Sequence, residues 1–212
     1  MHPEAIHFVT FIKNKLSFYF DNKTVLDVGG GDINGNNRYL FTNCDYNVND
    51  VIDAPNVTII SKTKDLEFEN YYFDTIISTE CFEHDPEYKE SLKKIYELLK
   101  PNGLFIFTCA GYGRPEHGTR RTSPGDSYGT IGNLEDMSDY YLNLTIRDIN
   151  NVLNLDNNFI FWDSYYNSSS KDLYFFGIKN NNKNNNNTDV NYNYNIKIKY
   201  ETNSVVNSKY NI

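Results

Sequence analysis

The chain has 212 residues, enough for one compact domain with a sizeable core and a tail. Lys and Arg number 20 against 28 Asp and Glu, a net charge of −8 with no basic stripe. That balance excludes a nucleic-acid-coating role, because phosphate affinity needs clustered cations. Cys44, Cys81 and Cys109 are an odd set with no C-x-x-C pair, so neither a disulfide frame nor a zinc ribbon is expected. No apolar run is long enough to cross a bilayer, and Glu4, Lys13 and Lys15 interrupt the first apolar stretch, which argues against a signal peptide. The expected setting is the cytoplasm, with no membrane partner.

In chain order, Ala5, Phe8, Val9, Ile12 and Leu16 recur at helical spacing behind Pro3, predicting a helix over residues 3–16. Thr24 to Val28 is a short apolar run ending in Gly29-Gly30-Gly31, the pattern of a buried parallel strand and a tight bend. Further strands are predicted at Val57–Ile60, Phe73–Ser78 and Leu104–Cys109. Between the last two, Asp85-Pro86 opens a helix whose stripe is Leu92, Ile95, Leu98 and Leu99, and Pro101-Asn102-Gly103 closes it. Strand, helix and strand with short connections make a βαβ unit and a parallel sheet. Residues 111–139 form a long polar loop, of the kind that is commonly functional. Thr145 and Asp148 form a capping box for a helix continuing through Ile149, Val152 and Leu153. Two aromatic runs, from Phe159 and from Leu173, read as an antiparallel hairpin. Residues 1–179 are taken as the folded domain. The Asn-rich stretch 180–212 is expected to be disordered, so trimming it should leave the melting temperature nearly unchanged.

The glycine bend brings backbone N–H groups to the carboxyl end of the sheet, where a ligand can approach closely. A dinucleotide wants Gly-x-Gly-x-x-Gly, yet Asn34 holds the third position and Gly35 comes one place late. This weakens a nicotinamide-dependent oxidoreductase reading, and Asp27 and Asp32 better suit a zwitterionic or cationic ligand. Asp50 falls about 20 positions after the glycines, where a carboxylate can accept both ribose hydroxyls. Alternatively it belongs to a polar loop with Asn47, Asn49 and Asp53.

Val25-Leu26-Asp27-Val28-Gly29-Gly30-Gly31 resembles the first motif of class I S-adenosylmethionine-dependent methyltransferases. Phe73 to His84 resembles that family's fourth strand and the turn after it, and Leu98 to Leu104 its approach to the fifth strand. The blocks stand in order and at the family's spacing, with the terminal hairpin as a fourth match, and the likeness is to small type-11-like domains. The resemblance implies an α/β, doubly wound, mostly parallel seven-stranded sheet with a C-terminal antiparallel hairpin, a Rossmann-like methyltransferase fold. It implies S-adenosylmethionine as cofactor. Asp27, through water, and the backbone of Gly29, Gly30 and Gly31 would hold its methionine part. Asp50 would take the ribose and Val51 the adenine face. The loop at Thr63 would meet the adenine edge, and Ser78, Thr79 and Glu80 would lie under the sulfonium. Two residues depart from the family: Lys62 stands where an acceptor carboxylate is common, and Asp32 replaces a Thr-Gly pair.

In-line transfer to a hydroxyl also needs a general base. His117, Glu116 and His84 are the candidates, with Glu83 beside them, although Glu83 and His84 more naturally pin the turn that opens the next helix. Arg114, His117, Tyr140 and Tyr141, with Arg120 and Arg121, would contact a polar acceptor. His84, Asp85 and Glu87 match no metal-ligand spacing, and no metal is expected. His2 and His7 carry no signal. The expected activity is methyl transfer to a small-molecule acceptor, such as a hydroxyl of a sugar or sugar conjugate, by a monomer or homodimer. The departures at Lys62 and Asp32 motivate a rival, a non-catalytic cofactor-binding module.

Overall fold

The computed structural model describes residues 2–181 and 198–209. Eight strands form one sheet: β1 (Thr24–Val28), β2 (Asp45–Asp50), β3 (Ile59–Ile60), β4 (Phe73–Thr79), β5 (Leu99–Ala110), β6 (Phe159–Asn167), β7 (Asp172–Lys179) and β8 (Val205–Asn207). Their order is β3-β2-β1-β4-β5-β7-β6-β8. The first five are mutually parallel, and β7, β6 and β8 join antiparallel. This is the implied doubly wound sheet and hairpin, with an eighth strand added at the edge.

Each face carries its own core. On one, α2 (Tyr88–Leu98), α4 (Ile146–Leu153) and α5 (Leu155–Asn158) seat Leu92, Ile95, Ile149 and Leu155 against Phe105, Phe107 and Phe175. On the other, α1 (Pro3–Lys15) seats Phe8, Val9 and Ile12 against Ile106, Tyr174 and Phe176. The Thr145 capping box forms as expected: Asp148 Oδ2 accepts the Thr145 backbone N–H at 2.9 Å.

Three local features are not what the sequence pattern alone suggests. Helix α2 stops at Leu98, and β5 starts at once at Leu99, so Pro101 and Gly103 lie inside the strand. A register shift between Phe73 and Thr75 absorbs the irregularity, and Asn102, at φ +60°, takes the left-handed residue there. No α-helix follows the glycine bend: residues 32–37 form an open loop leading to a 3-10 turn at Arg38–Leu40. Asp32 stabilises that loop, accepting the Gly35 backbone N–H and the Asn36 amide, both at 2.7 Å. Third, the stretch after residue 180 is not uniform. Residues 182–197 lie outside those described, but Ile198 and Tyr200 are buried in the α1-side core and β8 pairs with β6. The reason is aromatic packing: Tyr200 packs edge-on or tilted against Phe8, Phe11 and Tyr165 at ring-centre distances of 4.8–5.6 Å and hydrogen-bonds His7 at 2.8 Å.

Candidate active site

A cavity of about 320 Å³ opens where β1, β2 and β4 end, at the carboxyl edge of the parallel strands. Its floor is the glycine bend. Gly29 sits at φ +64°, and a Cβ there would lie 2.3 Å from Cys81 Sγ, so the position accepts only glycine. A Cβ on Gly30 would strike the Asp27 carboxyl at 2.6 Å, and one on Gly31 the Asp50 carboxylate at 2.8 Å. A ligand can therefore reach the bare backbone.

Two carboxyls flank the bend. Asp50 turns back onto it: Oδ2 accepts the Gly31 N–H at 3.1 Å and Oδ1 the Val51 N–H at 2.8 Å. Burial raises its pKa, while those two backbone bonds work against the rise. Asp27 is fully buried on β1. Its Oδ2 accepts the Tyr46 hydroxyl at 2.5 Å, while Oδ1 has no partner among the described residues. Burial, helped by the nearby charge of Asp50, pushes its pKa up to about 7. Asn37, also buried, donates to Thr79 Oγ1 at 3.1 Å.

Val51, Thr63, Asn49 and Lys62 line one end of the cavity. Lys62 Nζ pairs with Glu87 at 2.9 Å and also contacts Asp136. It thus spans the cavity wall, the start of α2 and the polar loop. That loop folds over the opening, and its short helix α3 (Tyr128–Ile131) lays the Tyr128 ring across Gly31.

The other end is lined by Glu80, His84, Arg114 and His117, with His2 reaching in from the start of α1. Glu80 adopts φ +55°, a strained backbone held at the end of β4. The His2 Nε2 lies 2.9 Å from Asp172 Oδ2 and 3.1 Å from Glu80 Oε2. Burial opposes its charge, but the two carboxylates prevail and raise its pKa to about 10. Arg114 braces the same group, 3.0 Å from Asp172 Oδ1. His84 stays neutral, since burial lowers its pKa to about 3 with His117 contributing. The two imidazoles meet edge to face at 5.0 Å.

Of the residues singled out from sequence, the cavity brings together Asp27, the three glycines, Asp50, Val51, Thr63, Thr79, Glu80, His84, Arg114 and His117. Others lie elsewhere. Ser78 is buried between strands and donates to Val28 O at 3.0 Å, holding β4 to β1. Glu116 faces away, accepting from Thr119 and Arg121, so it is not placed to act as a base. Tyr140 does not reach the cavity, and Tyr141 stands behind it, its ring tilted against His84 and edge-on to His117. Arg120 and Arg121 form surface ion pairs with Asp139. The trio His84, Asp85 and Glu87 is not assembled: Asp85 accepts from Ser91, and Glu87 pairs with Lys62 and Lys64. The sequence reading missed His2, Asn37 and Tyr128. A Pro3 helix start places His2 at a cap, but nothing local shows what that cap touches.

A family model describing a methyltransferase domain matches residues 4–121, just over half of the chain. Phosphoethanolamine N-methyltransferase 2 of Caenorhabditis elegans is 30% identical over 74 residues, 34% of this chain. The chain spans only 17% of that curated relative's length. Among solved structures, Burkholderia thailandensis 1,6-didemethyltoxoflavin-N1-methyltransferase, holding 1,6-didemethyltoxoflavin and S-adenosylhomocysteine, aligns with a TM-score of 0.55 at 14% identity, over 84% of this chain and 80% of that one. Haemonchus contortus phosphoethanolamine N-methyltransferase 2, in complex with S-adenosyl-L-methionine, aligns at 0.56 and 16% identity, over 82% of this chain and 52% of that one. At those identities the structural likeness speaks for the fold, and the match along the sequence speaks for descent. The chain belongs to the methyltransferase domain family.

Proposed function

We propose that this cavity binds S-adenosylmethionine and that the chain transfers its methyl group to a hydroxyl of a small polar acceptor, sugars and sugar conjugates included. The observation that carries the cofactor reading is Asp50, whose carboxylate is fixed on the glycine bend by the Gly31 and Val51 amides and still borders open cavity. Each carboxylate oxygen retains a lone pair for a ribose hydroxyl. The orphaned Asp27 Oδ1 beneath Gly30 suits the cationic amino group of the methionine part, directly or through water. Val51, Thr63 and Asn49 then bound the adenine end, and Glu80 the reacting end.

When bound, the cofactor supplies a methyl already activated on a sulfonium. What remains for the chain is placement, exclusion of water and removal of a proton. Placement of an oxygen in line with the methyl is worth much of the barrier, roughly 7–11 kcal/mol at high effective molarity. The His84–His117 face lies beside Glu80 at the reacting end and sets where the acceptor sits. A hydroxyl is favoured over an amine because the His2 imidazolium and the Arg114 guanidinium together already neutralise Glu80 and Asp172 at that end. An ammonium would have to displace that imidazolium. The amine reading has one support, that the named relatives are N-methyltransferases.

The test is calorimetry with S-adenosylmethionine and S-adenosylhomocysteine. Binding of both is expected. Asp50→Ala should weaken it through loss of two charge-assisted hydrogen bonds, roughly 1.5–3 kcal/mol each before relaxation. No heat with either ligand at millimolar concentration overturns the reading, and an unchanged dissociation constant in the variant overturns the role of Asp50. Incubation with hydroxyl and amine acceptors, following S-adenosylhomocysteine release, separates the two acceptor classes.

A further inference from the structure

Behind the reacting end lies a set of buried polar atoms that the cofactor reading does not use. Glu83 is fully buried, and its carboxylate has only the backbone N–H groups of Glu83 and Ala110 near it and no side-chain partner among the described residues. His84 Nδ1 and the Tyr141 hydroxyl likewise lack a side-chain partner among the described residues. Four such atoms in one place are unusual, because buried polar groups are almost always satisfied. The Tyr141 ring centre lies 5.6 Å from that of His84, tilted against it, and 5.0 Å from that of His117, edge to face, so the orphans converge.

One ligand atom each from Glu83, His84 and His117 lies within 4.8 Å of the other two. Gly118, next to His117, leaves room for this: a Cβ there would come 3.1 Å from His84 Nδ1. His117 is oriented as a ligating imidazole should be, with Nδ1 against the Pro115 carbonyl at 3.1 Å, leaving Nε2 for the group it faces. A second trio, His2, Glu80 and Asp172, also lies close together, but its atoms already pair with one another as a cation between two carboxylates.

The structure assigns a divalent metal site to Glu83, His84 and His117, a two-imidazole, one-carboxylate set of the kind that holds zinc and leaves a coordination position open. His84 and His117 both line the cavity, so the open position faces the place where the acceptor sits. The role assigned to the metal rests on the methyl-transfer reading, although binding of the ion does not. The ion polarises the acceptor oxygen and lowers the pKa of its proton, which leaves to water. That oxygen then forms a bond to the methyl carbon, the carbon–sulfur bond breaks, and its electron pair returns to sulfur.

The experiment uses the full chain stripped by chelator and titrated with Zn²⁺ by calorimetry, with Co²⁺ followed by its visible absorption. The expected result is one ion per chain, with Co²⁺ bands of low coordination number. Glu83→Gln and His117→Asn should each weaken binding more than about tenfold, since even outer-shell changes cost that much. His2→Asn should leave it unchanged. His117 is only half-buried, so its variant keeps the test valid should Glu83→Gln misfold. Absence of a bound ion, or binding that follows His2 instead of Glu83 and His117, overturns the site. S-adenosylhomocysteine titrated into the same samples separates the two readings. Cofactor binding without metal overturns the metal site alone, and metal binding without cofactor overturns the cofactor reading while the site stands.

Discussion

Asp27 shows how much one side chain can decide. A carboxyl in the middle of a buried strand is costly when ionised, and the Tyr46 hydroxyl at 2.5 Å offsets only part of that cost. With its pKa near 7 in the folded chain and about 3.9 unfolded, the native state keeps a proton that the unfolded state releases between about pH 4 and pH 7. Stability therefore falls as pH rises through that window, by on the order of 1.4 kcal/mol per unit of difference between the two pKa values. Asp27→Asn removes this slope. Urea unfolding at pH 5 and pH 7.5 should find the variant gaining on the native chain at the higher pH, and a constant difference would mean that Asp27 titrates normally. Ligand binding runs in the opposite sense. An amino group drawn to Oδ1 needs the ionised form, so cofactor affinity should rise with pH up to about 7 while stability of the free chain declines.

At the scale of elements, the last strand reverses the expectation drawn from composition. The stretch after residue 180 is dominated by asparagine, which cannot offset its own ordering, yet a few apolar residues within it find a prepared surface. Ile198 and Tyr200 complete the aromatic cluster under α1, and β8 covers the outer edge of β6. Burial of each side chain is worth roughly 1.5–3 kcal/mol, part of which is spent ordering the segment. If about 2 kcal/mol survives, deletion of residues 198–212 should lower Tm by about 4–8 °C, whereas an unchanged Tm would return the segment to the disordered class. The contrast shows what is legible locally. Although Leu99 passes into β5, the Val25–Val28 run, the Leu92–Leu98 part of the helical stripe, the Thr145 cap and the aromatic hairpin carry their periodicity and punctuation with them and appear where expected. The same holds for the glycine bend and Asp50, because turn chemistry fixes one and strand length the other. His2, Tyr128 and Tyr200 could not be read that way. Each acts through partners distant in the chain, and no spacing rule links His2 to Asp172 or Tyr128 to Gly31. Ser78 and Glu116 fail for the complementary reason: right position along the chain, but a side chain turned to a structural partner.

For the molecule as a whole, the site is an edge of the sheet roofed by the loop that follows β5, and what holds the roof matters for ligand exchange. Tyr128 leans on Gly31, and Met137, from the same loop, lines the cavity. Lys62 joins this roof to the body through Asp136, Glu87 and the cavity wall. Lys62 thus acts as a strap between the roof and the cavity wall. Its side chain is 34% exposed and that of Asp136 51%, so the pairs are screened and worth less than about 1 kcal/mol to overall stability. Their effect on opening need not be small, because Lys62 is the cation that joins Asp136 on the roof to the wall. Lys62→Ala should therefore leave Tm nearly unchanged yet speed dissociation of S-adenosylhomocysteine several-fold, while Lys62→Arg retains the slower rate. Raising ionic strength to about 1 M, where the Debye length shrinks to about 3 Å, should bring the native chain toward the variant. A stopped-flow chase with a fluorescent adenosyl analogue measures this directly. Equal rates in native chain and variant at low salt would mean that the Tyr128 contact holds the roof unaided.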